Sequence, residues 1–321
     1  MSSTALVVTV LNEENSLNVF LDSIDRQQLT PSEVIVVDGG SSDGTVGVLN
    51  RWRQHYRGRT TVIVAEGANI AKGRNVGIKK TNAEIIAITD GGCQLHPQWF
   101  RAITSGIVQN TMDVCFGPTE PLLSNSVSRA FASIKGDRIQ FKGISSSDGV
   151  LEASPSSRSI AFRKECALQV GLYPEWLETA EDSYFFYELK KKGFRIDYEP
   201  KAVVSWNMRD SIRSIGVQFY KYGIGEIQAG IFLGRAIIRA TYFLLPSLAY
   251  FLSPNARVWF ASLWLIPFAL PGWLRARRFI RGTSLVSMLT TIALIPIASF
   301  TMEATKCIGA CVGFLSKPRR K

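Results

Sequence analysis

Two aliphatic stretches of this chain end in the same way. Val34-Ile35-Val36-Val37 runs into Asp38-Gly39-Gly40, and Glu84-Ile85-Ile86-Ala87-Ile88-Thr89 runs into Asp90-Gly91-Gly92. A short apolar run bounded by turn residues is the pattern of a strand buried on both faces, and such strands belong to parallel sheets whose crossovers are helices. The intervening sequence supplies those helices. After a first apolar run, Ala5 to Leu11, the residues Leu17, Phe20, Leu21 and Ile24 recur at helical spacing. Thr45 to Tyr56 and Ala71 to Thr81 read as two further helices, with a third strand over Thr61 to Ala65 between them. The alternation predicts an α/β fold with a doubly wound, mostly parallel sheet. Ligands of such sheets bind beyond the carboxyl ends of the strands, where Asp38 and Asp90 fall.

The later sequence continues the pattern less regularly. Pro97 to Gln109 reads as a helix, Met112 to Gly117 as a short strand, and Ser159 to Arg163 as another. Ser124 to Ser159 is polar and rich in Ser and Gly, and reads as a mobile acceptor-side segment with some helix near Val127 to Phe141. Asp182 to Lys192 predicts an amphipathic helix with Phe185, Phe186 and Leu189 inward, followed by a last strand near Ala202 to Trp206. A helix carrying Gln218-Phe219-Tyr220-Lys221-Tyr222-Gly223 follows Ser211.

A chain of 321 residues accommodates one large α/β domain and an appendage. The apolar excess lies beyond Ile231, so we expect a catalytic domain over residues 1–230 and a C-terminal membrane-associated helical region with a basic tail over 231–321. Three segments, Ala240 to Ala256, Val258 to Leu274 and Gly282 to Met302, carry no formal charge. Each approaches the ~20 residues that span a bilayer. Pro246, Pro254, Pro267 and Pro271 interrupt the first two, which leaves buried or interfacial helices as the alternative. Of the net charge of +11, much sits beside these segments, as Arg275, Arg277, Arg278 and Arg281 and as Lys317, Arg319, Arg320 and Lys321. That placement favours a membrane surface over nucleic acid as the partner, with the arginine cluster on the cytoplasmic side. Cys93, Cys115, Cys166, Cys307 and Cys311 form no Cys-x-x-Cys pair and no metal cluster with His55 and His96, which points to a reducing compartment. The strand pattern begins almost at the N-terminus, with no charged-then-apolar leader, so the first domain is expected not to be exported.

Several polar residues stand where chemistry is done. A carboxylate at the end of the second strand, Asp38, suits a base N–H or ribose hydroxyls, with a turn role as the alternative; Asp43 fits a helix start better. Arg74 lies early in a helix, where a cation gains nothing from the helix dipole, so a ligand or a carboxylate partner is expected. Asp90 offers an oxygen to a divalent ion bridging two phosphates, and Gly91 and Gly92 let backbone approach a ligand. Glu181-Asp182 opens a helix, where acids are favoured anyway, but beside a nucleotide-type sheet one of the two becomes a candidate general base.

The ordered set Thr9-Val10-Leu11-Asn12-Glu13-Glu14, Val37-Asp38-Gly39-Gly40-Ser41-Ser42-Asp43-Gly44-Thr45, Gly73-Arg74-Asn75-Val76-Gly77, Asp90 and Glu181-Asp182 resembles the family 2 glycosyltransferases and their A-type nucleotide-sugar transferase fold. The resemblance spans roughly Ala5 to Gly230, and Arg209 with Gln218 to Gly225 is similar to exopolysaccharide-biosynthesis members. It implies an inverting transfer from a nucleoside-diphosphate sugar, UDP being the commonest carrier. Thr9, Glu13, Asp38 and Arg74 would hold the base and ribose. Asp90 would be the first Asp of the Asp-x-Asp motif and the ligand of a divalent metal, Mn²⁺ or Mg²⁺. Asp182, with Glu181 beside it, would be the base that deprotonates the acceptor hydroxyl. The chain departs from the family pattern at Thr9, where Pro is common, and at Gly92, which replaces the second Asp of the motif.

The leading expectation is a membrane-associated enzyme transferring a sugar to a hydroxyl of a lipid-linked or polysaccharide acceptor at the cytoplasmic face. Transfer to polyprenyl phosphate, which needs no base, and a non-catalytic nucleotide-sugar-binding assembly partner are the alternatives. A nucleotidyltransferase is disfavoured because Leu11-Asn12-Glu13-Glu14 stands where a Gly-rich, basic phosphate loop would follow the first strand. Processive polymerisation is disfavoured because the segment at Gln218 lacks a Gln-x-x-Arg-Trp pattern.

Overall fold

The computed structural model describes residues 2–135, 155–231, 233–234, 237–238, 241 and 257–316, with side chains beyond residue 250 described from Ala269 onward. These residues fall into two compact units. One ends its first stretch at Glu120 and its second at Trp206; the other begins at Pro121 and again at Asn207.

The first unit is built on strands β1 (Thr4–Val10), β2 (Glu33–Asp38), β3 (Arg59–Val64), β4 (Ile85–Asp90), β5 (Cys93–Leu95), β6 (Val114–Phe116), β7 (Thr119–Leu122, leading into the second unit), β8 (Ile160–Arg163), β9 (Ile196–Tyr198) and β10 (Val204–Asn207). Seven of them form one sheet in the order β3-β2-β1-β4-β8-β6-β9. β1 pairs in parallel with β2 and β4, and β2 with β3, so the expected doubly wound core is present. β8 runs antiparallel to both β4 and β6, while β6 and β9 are parallel, which makes the sheet mostly parallel. Helices α1 (Leu17–Asp25), α2 (Thr45–Trp52), α3 (Ile70–Lys80), α4 (Trp99–Val108), α6 (Lys164–Gln169) and α7 (Glu181–Lys191) also belong to this unit, and α5 (Ser126–Lys135) to the second.

The strands are apolar throughout because each feeds two cores. Leu6, Val8, Val34, Val36, Ile85 and Ala87 point to one side, where Phe20, Leu49, Trp99 and Phe100 cover them. Val7, Ile35, Val37, Ile86 and Ile88 point to the other, under Ala71, Ile78, Phe185 and Leu189. Alternate side chains of a strand face opposite sides, so a strand covered by helices on both has no polar face. Phe185, Phe186 and Leu189 are buried as the spacing predicts.

The regular strands and helices match the sequence reading to within a few residues, with the helix at Thr45 stopping at Trp52 rather than Tyr56. The three-residue strands β5 and β9 and the short helix α6 are not visible in the periodicity. β9 forms where Gly193-Phe194-Arg195-Ile196 reads only as an approach to the last strand. The expected helix near Val127 to Phe141 is present as α5 up to Lys135, and the rest of that reading lies outside the described residues.

The second unit is helical, with α5, α8 (Ile212–Ala229), α9 (Arg257–Ile280) and α10 (Leu285–Leu315). α8 ends at Gly230, left-handed at φ 73, the usual helix stop. α8 and α10 touch through glycines. A β-carbon on Gly223 would overlap the Lys306 carbonyl, and one on Gly309 the Tyr220 carbonyl, so the two backbones meet directly. Lys306 pairs with Glu226 at 2.5 Å within that contact. Ala130, Ala269, Ala276 and Ile295 make a small core among α5, α9 and α10. Arg275 closes the end of α5 by donating to the Ile134 carbonyl at 2.8 Å, one of the acceptors a helix terminus leaves open. Among the described residues, α10 is the one helix long and apolar enough to cross a membrane. Its Leu285, Val286, Leu289 and Phe300 are exposed, as are Trp273 and Leu274 on α9. The apolar segment Ala240 to Ala256 and the basic tail lie outside the described residues.

Candidate active site

The parallel register brings the ends of β1, β2 and β4 level, Thr9 opposite Asp90 on one side and Val10 opposite Asp38 on the other. At the β2 end, the Asp38 side chain is fully buried. Its carboxylate accepts from the Gly40 N–H at 3.0 Å, the Ser41 N–H at 2.8 Å and the Ser41 hydroxyl at 2.5 Å. Gly40 takes φ 96, a left-handed conformation natural to glycine, which turns the chain back over the carboxylate. Asp38 thus closes its own turn.

The Asn12-Glu13-Glu14 segment holds that turn from the neighbouring loop. Asn12 N–H donates to Ser41 Oγ at 2.8 Å, and Ser42 N–H donates back to Asn12 Oδ1 at 2.9 Å. Glu13 N–H donates to Thr45 Oγ1 at 2.9 Å, and Gly44 N–H to a Glu14 carboxylate oxygen at 2.8 Å. Asp43 accepts from the hydroxyl and N–H of Thr45 at 2.5 and 3.0 Å, the helix-start role expected of it. The Thr45 hydroxyl holds its carboxyl below the usual carboxylate range. The Glu13 carboxylate accepts a short hydrogen bond from the Ser16 hydroxyl.

Helix α3 lies tightly over β1. A β-carbon on Gly73 would come within 3.0 Å of the Thr9 methyl, and one on Gly77 would overlap Val7. That approach explains the glycines of Gly73-Arg74-Asn75-Val76-Gly77 and sinks Arg74 into the protein, where it is 2% exposed. Its guanidinium donates to Asp90 Oδ1 and to Glu181 Oε1, each at 2.8 Å. It also lies 5.2 Å from the centroid of the Tyr173 ring. Burial alone would lower the guanidinium pKa, but the Asp90 and Glu181 charges outweigh it and raise it. Asn75 secures the chain that leads to α7, accepting from the Tyr173 N–H and donating to the Tyr173 carbonyl, both at 2.9 Å. The Tyr173 ring stacks on Phe185 of α7 with centroids 4.0 Å apart.

α7 begins abruptly. Ala180, its N-cap, takes φ 65, a left-handed conformation costly for any residue with a side chain. The cap lacks a side-chain hydrogen bond, and the two acids of the first turn, Glu181 and Asp182, face the positive end of the helix instead. Glu181 is 7% exposed. Its carboxyl is pushed up to about 7 by burial and then by the Asp182 charge, against the pull of Arg74. Asp182 is less buried and accepts from the Ser183 N–H at 2.7 Å.

The structure therefore gathers Arg74, Asp90 and Glu181, with Asp182 next in the chain, and sets Thr9 across from Asp90. Thr9 is buried, and its hydroxyl and the Arg74 Nε have no hydrogen-bond partner among the described residues. The Asp38 and Glu13 carboxylates accept hydrogen bonds from their own loops. Gly91 bonds back to the Thr9 carbonyl at 3.0 Å, pressing the turn after β4 onto β1. The sequence reading missed Arg158. Its guanidinium lies 4.0 Å from the Trp206 ring centroid, and its Nε is 3.9 Å from Asp90 Oδ2. Only the meeting of the loop before β8 with the end of β10 brings that pair to Asp90, a juxtaposition without a local signal.

The expected divalent ion needs an open set of oxygen donors. Asp90 supplies one carboxylate, and both its oxygens face guanidinium groups. Gly92 has no side chain to supply; a β-carbon there would lie 3.3 Å from Glu13 Oε1, so the Glu13 carboxylate borders this turn. Among the described residues, three His, Cys, Asp or Glu side chains do not gather at one point. A divalent ion here would have Asp90 as its carboxylate and take its remaining oxygens from phosphate and water.

Residues 5–149 match the family described as Glycosyl transferase family 2. Glycosyltransferase AglE of Haloferax volcanii is 25% identical over 263 residues, which cover 79% of this chain and 84% of AglE. Mannosyltransferase PcManGT from Pyrobaculum calidifontis, solved with GDP-Man and Mn²⁺, superposes with TM-score 0.58 at 19% identity over 98% of this chain and 87% of that one. S. aureus TarS superposes with TM-score 0.54 at 16% identity over 96% of this chain but only 54% of that one, so the chain spans about half of that structure. A TarS 1–349 structure in complex with UDP gives TM-score 0.52 at 15% identity and is covered over 93% of its length. Strand order, the acid-ended strands and these likenesses agree: residues 5–149 carry a family 2 glycosyltransferase domain, the chain has glycosyltransferase relatives, and its fold is A-type.

Proposed function

We propose that residues 1–230 carry out an inverting transfer of a hexose from a nucleoside-diphosphate sugar to a hydroxyl of a lipid-linked or polysaccharide acceptor at the cytoplasmic face of a membrane. The observation that carries this reading is the Arg74 bridge. One buried guanidinium reaches both Asp90, at the sheet edge where a donor nucleotide belongs, and Glu181, beside the candidate base. Donor and base thus meet within the span of one side chain.

In this reading Thr9, Glu13, Asp38, Arg74, Asp90 and Gly91 form the nucleotide side. The buried Thr9 hydroxyl and Arg74 Nε, which have no hydrogen-bond partner among the described residues, support it. The UDP of the TarS complex and the GDP-Man of PcManGT make uracil and guanine nucleotides the first candidates. Asp182 takes the proton of the acceptor hydroxyl. The acceptor oxygen forms its bond to the anomeric carbon on the face opposite the diphosphate. The bond from that carbon to the diphosphate oxygen breaks, and the nucleoside diphosphate leaves with the electron pair. Glu181, its carboxyl raised by burial and tied to Arg74, fixes the start of α7 and so the direction of Asp182. The exposed apolar faces of α9 and α10, with Arg275 to Arg281 at the end of α9, support a seat on the membrane.

Binding of UDP, GDP and dTDP to the detergent-solubilised chain, followed by donor turnover with a lipid-linked glycan acceptor, tests this. Asp182→Asn should keep nucleotide affinity and lose transfer by about 10²–10⁴-fold, the usual share of a general base. An Asp182→Asn variant with full transfer would remove Asp182 as base and favour a phosphate acceptor, which is already anionic.

A further inference from the structure

Length and composition alone admit α10 as a membrane crossing, but the helices packed on it do not. We propose that α10 lies in the plane of an anionic lipid leaflet, its exposed side in the acyl boundary, and does not cross the bilayer. The inference rests on the membrane seat proposed above and gives that seat its geometry and its lipid.

The two sides of α10 differ along its whole length. Leu285, Leu289, Ile292, Ile297, Cys311 and Phe314 recur on one side at helical spacing and are exposed, and every exposed residue of the helix is uncharged. The opposite side is occupied by helices of the same unit. Over its first half it meets α5: the Ser287 and Ser126 hydroxyls are hydrogen-bonded at 3.2 Å, and Ile295 shares a small core with Ala130. Over its second half it meets α8. Gly216 lies beside Thr301, Gly223 beside Lys306 and Ile224 beside Gly313, so these two helices run parallel. Of the two charges on α10, Lys306 is buried in that contact and paired with Glu226, and Glu303 is half-buried.

A crossing would carry these neighbours into the bilayer. The exposed line of α8 is Arg213, Val217 and Lys221, and α5 brings Arg129 and Lys135. Ionised side chains in the hydrocarbon region are costly and face bundle interiors or aqueous cavities, not outward. Leaving α8 outside does not rescue the crossing. Leu285 to Phe300, the part of α10 before that contact, is about 24 Å long, short of the ~30 Å hydrocarbon core, and α5 still flanks it. Lying flat, α10 meets neither cost, because its stripe enters the boundary while α5 and α8 stay on the headgroup side. α9 widens the stripe. The Trp273 indole, itself exposed, donates to the Ile292 carbonyl at 3.0 Å, the acceptor that Pro296 leaves open for want of an N–H. Arg277 and Arg281, exposed on the approach to Leu285, set positive charge at one end of the stripe, which fits anionic headgroups.

The test reads depth. Single cysteines are placed in the full chain, in a Cys307→Ala, Cys311→Ala background, and given a fluorescent label. The chain is reconstituted into vesicles containing phosphatidylglycerol and lipids that carry a quencher at known depth. Labels at Leu285→Cys, Ile297→Cys and Phe314→Cys should report one shared depth, within about 10 Å of the headgroups, and one at Arg213→Cys should stay open to an aqueous quencher. Leu289→Cys and Ile292→Cys stand in for any label that lowers thermal stability. A label at Ile297 near the bilayer centre, with those at Leu285 and Phe314 near opposite surfaces, would overturn the proposal. So would quenching of Arg213→Cys from within the lipid. Stripe labels shielded from lipid and water alike, with coupling between labels of two chains, would give the face to a second copy and overturn it too. Flotation after detergent removal tests the lipid. Arg277→Gln with Arg281→Gln should weaken attachment to anionic vesicles by about tenfold or more and leave attachment to phosphatidylcholine unchanged. An equal effect on both vesicles would remove the anionic leaflet. A chain that floats with neither vesicle sinks the membrane seat and this inference with it, whereas a bound chain with spanning depths sinks this inference alone.

Discussion

The ends of β2 and β4 carry the same tripeptide, Asp-Gly-Gly, at the same level of one sheet, and use it in opposite ways. Asp38 turns inward on its own loop, where Gly40 and Ser41 satisfy its carboxylate within three residues. Asp90 finds no such donors in Gly91-Gly92-Cys93, and its oxygens turn instead to Arg74 and Arg158, far along the chain. The difference lies first in the backbone: Gly40 turns at φ 96, the Gly40 and Ser41 N–H groups meet Asp38, and the Ser41 hydroxyl adds a third donor, whereas Gly92 does not take a left-handed turn and leads into β5, so the second carboxylate is left for tertiary partners. The first end makes a self-bonded loop; the second makes an electrostatic junction between the carboxyl edge of the sheet and α7.

Removing the junction is the severest test of this contrast. Arg74→Ala strands Asp90 and the buried Glu181 without their cation, and breaking a buried pair in this way costs about 3–5 kcal/mol. Chemical denaturation of the first unit should show it, with transfer activity lost in parallel. A double-mutant cycle of Arg74→Ala with Asp90→Asn should be strongly non-additive, because the second change relieves the charge that the first exposes. Additive losses would mean that Asp90 and Arg74 act separately.

Glu181 gives the junction a pH signature. Its carboxyl is raised by burial from the ordinary value of 4.5 to about 7. The native state therefore keeps its proton where the unfolded chain has lost it. The associated stability is complete below pH 4.5 and is lost as pH rises through about 7. Glu181→Gln should flatten the fall of Tm between pH 5 and pH 8, a range chosen to bracket that window. An unchanged slope would show that Glu181 is ionised throughout.

At the self-contained end the expected loss is smaller and local. Asp38→Asn keeps an acceptor but removes charge from three hydrogen bonds, and about 1–3 kcal/mol should go with it. Ser41→Ala should cost about 1 kcal/mol. If the carboxylate also contacts the nucleotide base, Asp38→Asn will weaken UDP or GDP binding more than Ser41→Ala does for the same loss of stability. Equal effects would confine Asp38 to the turn.

The contrast also shows what a sequence can display. Strands buried on both faces, their order and the acids at their ends are written in local patterns: Val34 to Val37 and Ile85 to Thr89 admit little else. Helix α7 is readable from Phe185, Phe186 and Leu189. The antiparallel insertion of β8 between β4 and β6 is not, because four residues carry no direction. Nor is the use of a carboxylate. Whether an Asp caps its turn or pairs with a distant arginine depends on which side chains the fold delivers, and Arg158 and Trp206 meet only after β5 and β10 have paired. The glycines of α3 are legible as a motif but not as a reason; their contacts with Thr9 and Val7 supply it.

A third carboxylate calibrates the two. Asp113, just before β6, accepts from the Arg195 backbone and side chain at 2.8–3.0 Å, and Arg163 stands 3.6 Å away. The Arg195 hydrogen bond holds its carboxyl below the usual carboxylate value of 3.8. A depressed native pKa adds stability above the unfolded value and loses it as pH falls through the native one, so its window opens below about pH 3.8, not near neutrality. Arg195 is 47% exposed, so water and salt screen the pair, and Asp113→Asn should cost at most about 1 kcal/mol at neutral pH. The same cluster of arginine and carboxylate that is decisive when buried at Asp90 is thus a minor fastening at Asp113. Unfolding at low and high salt separates them: the Asp113→Asn loss should shrink with salt, and the Arg74→Ala loss should not.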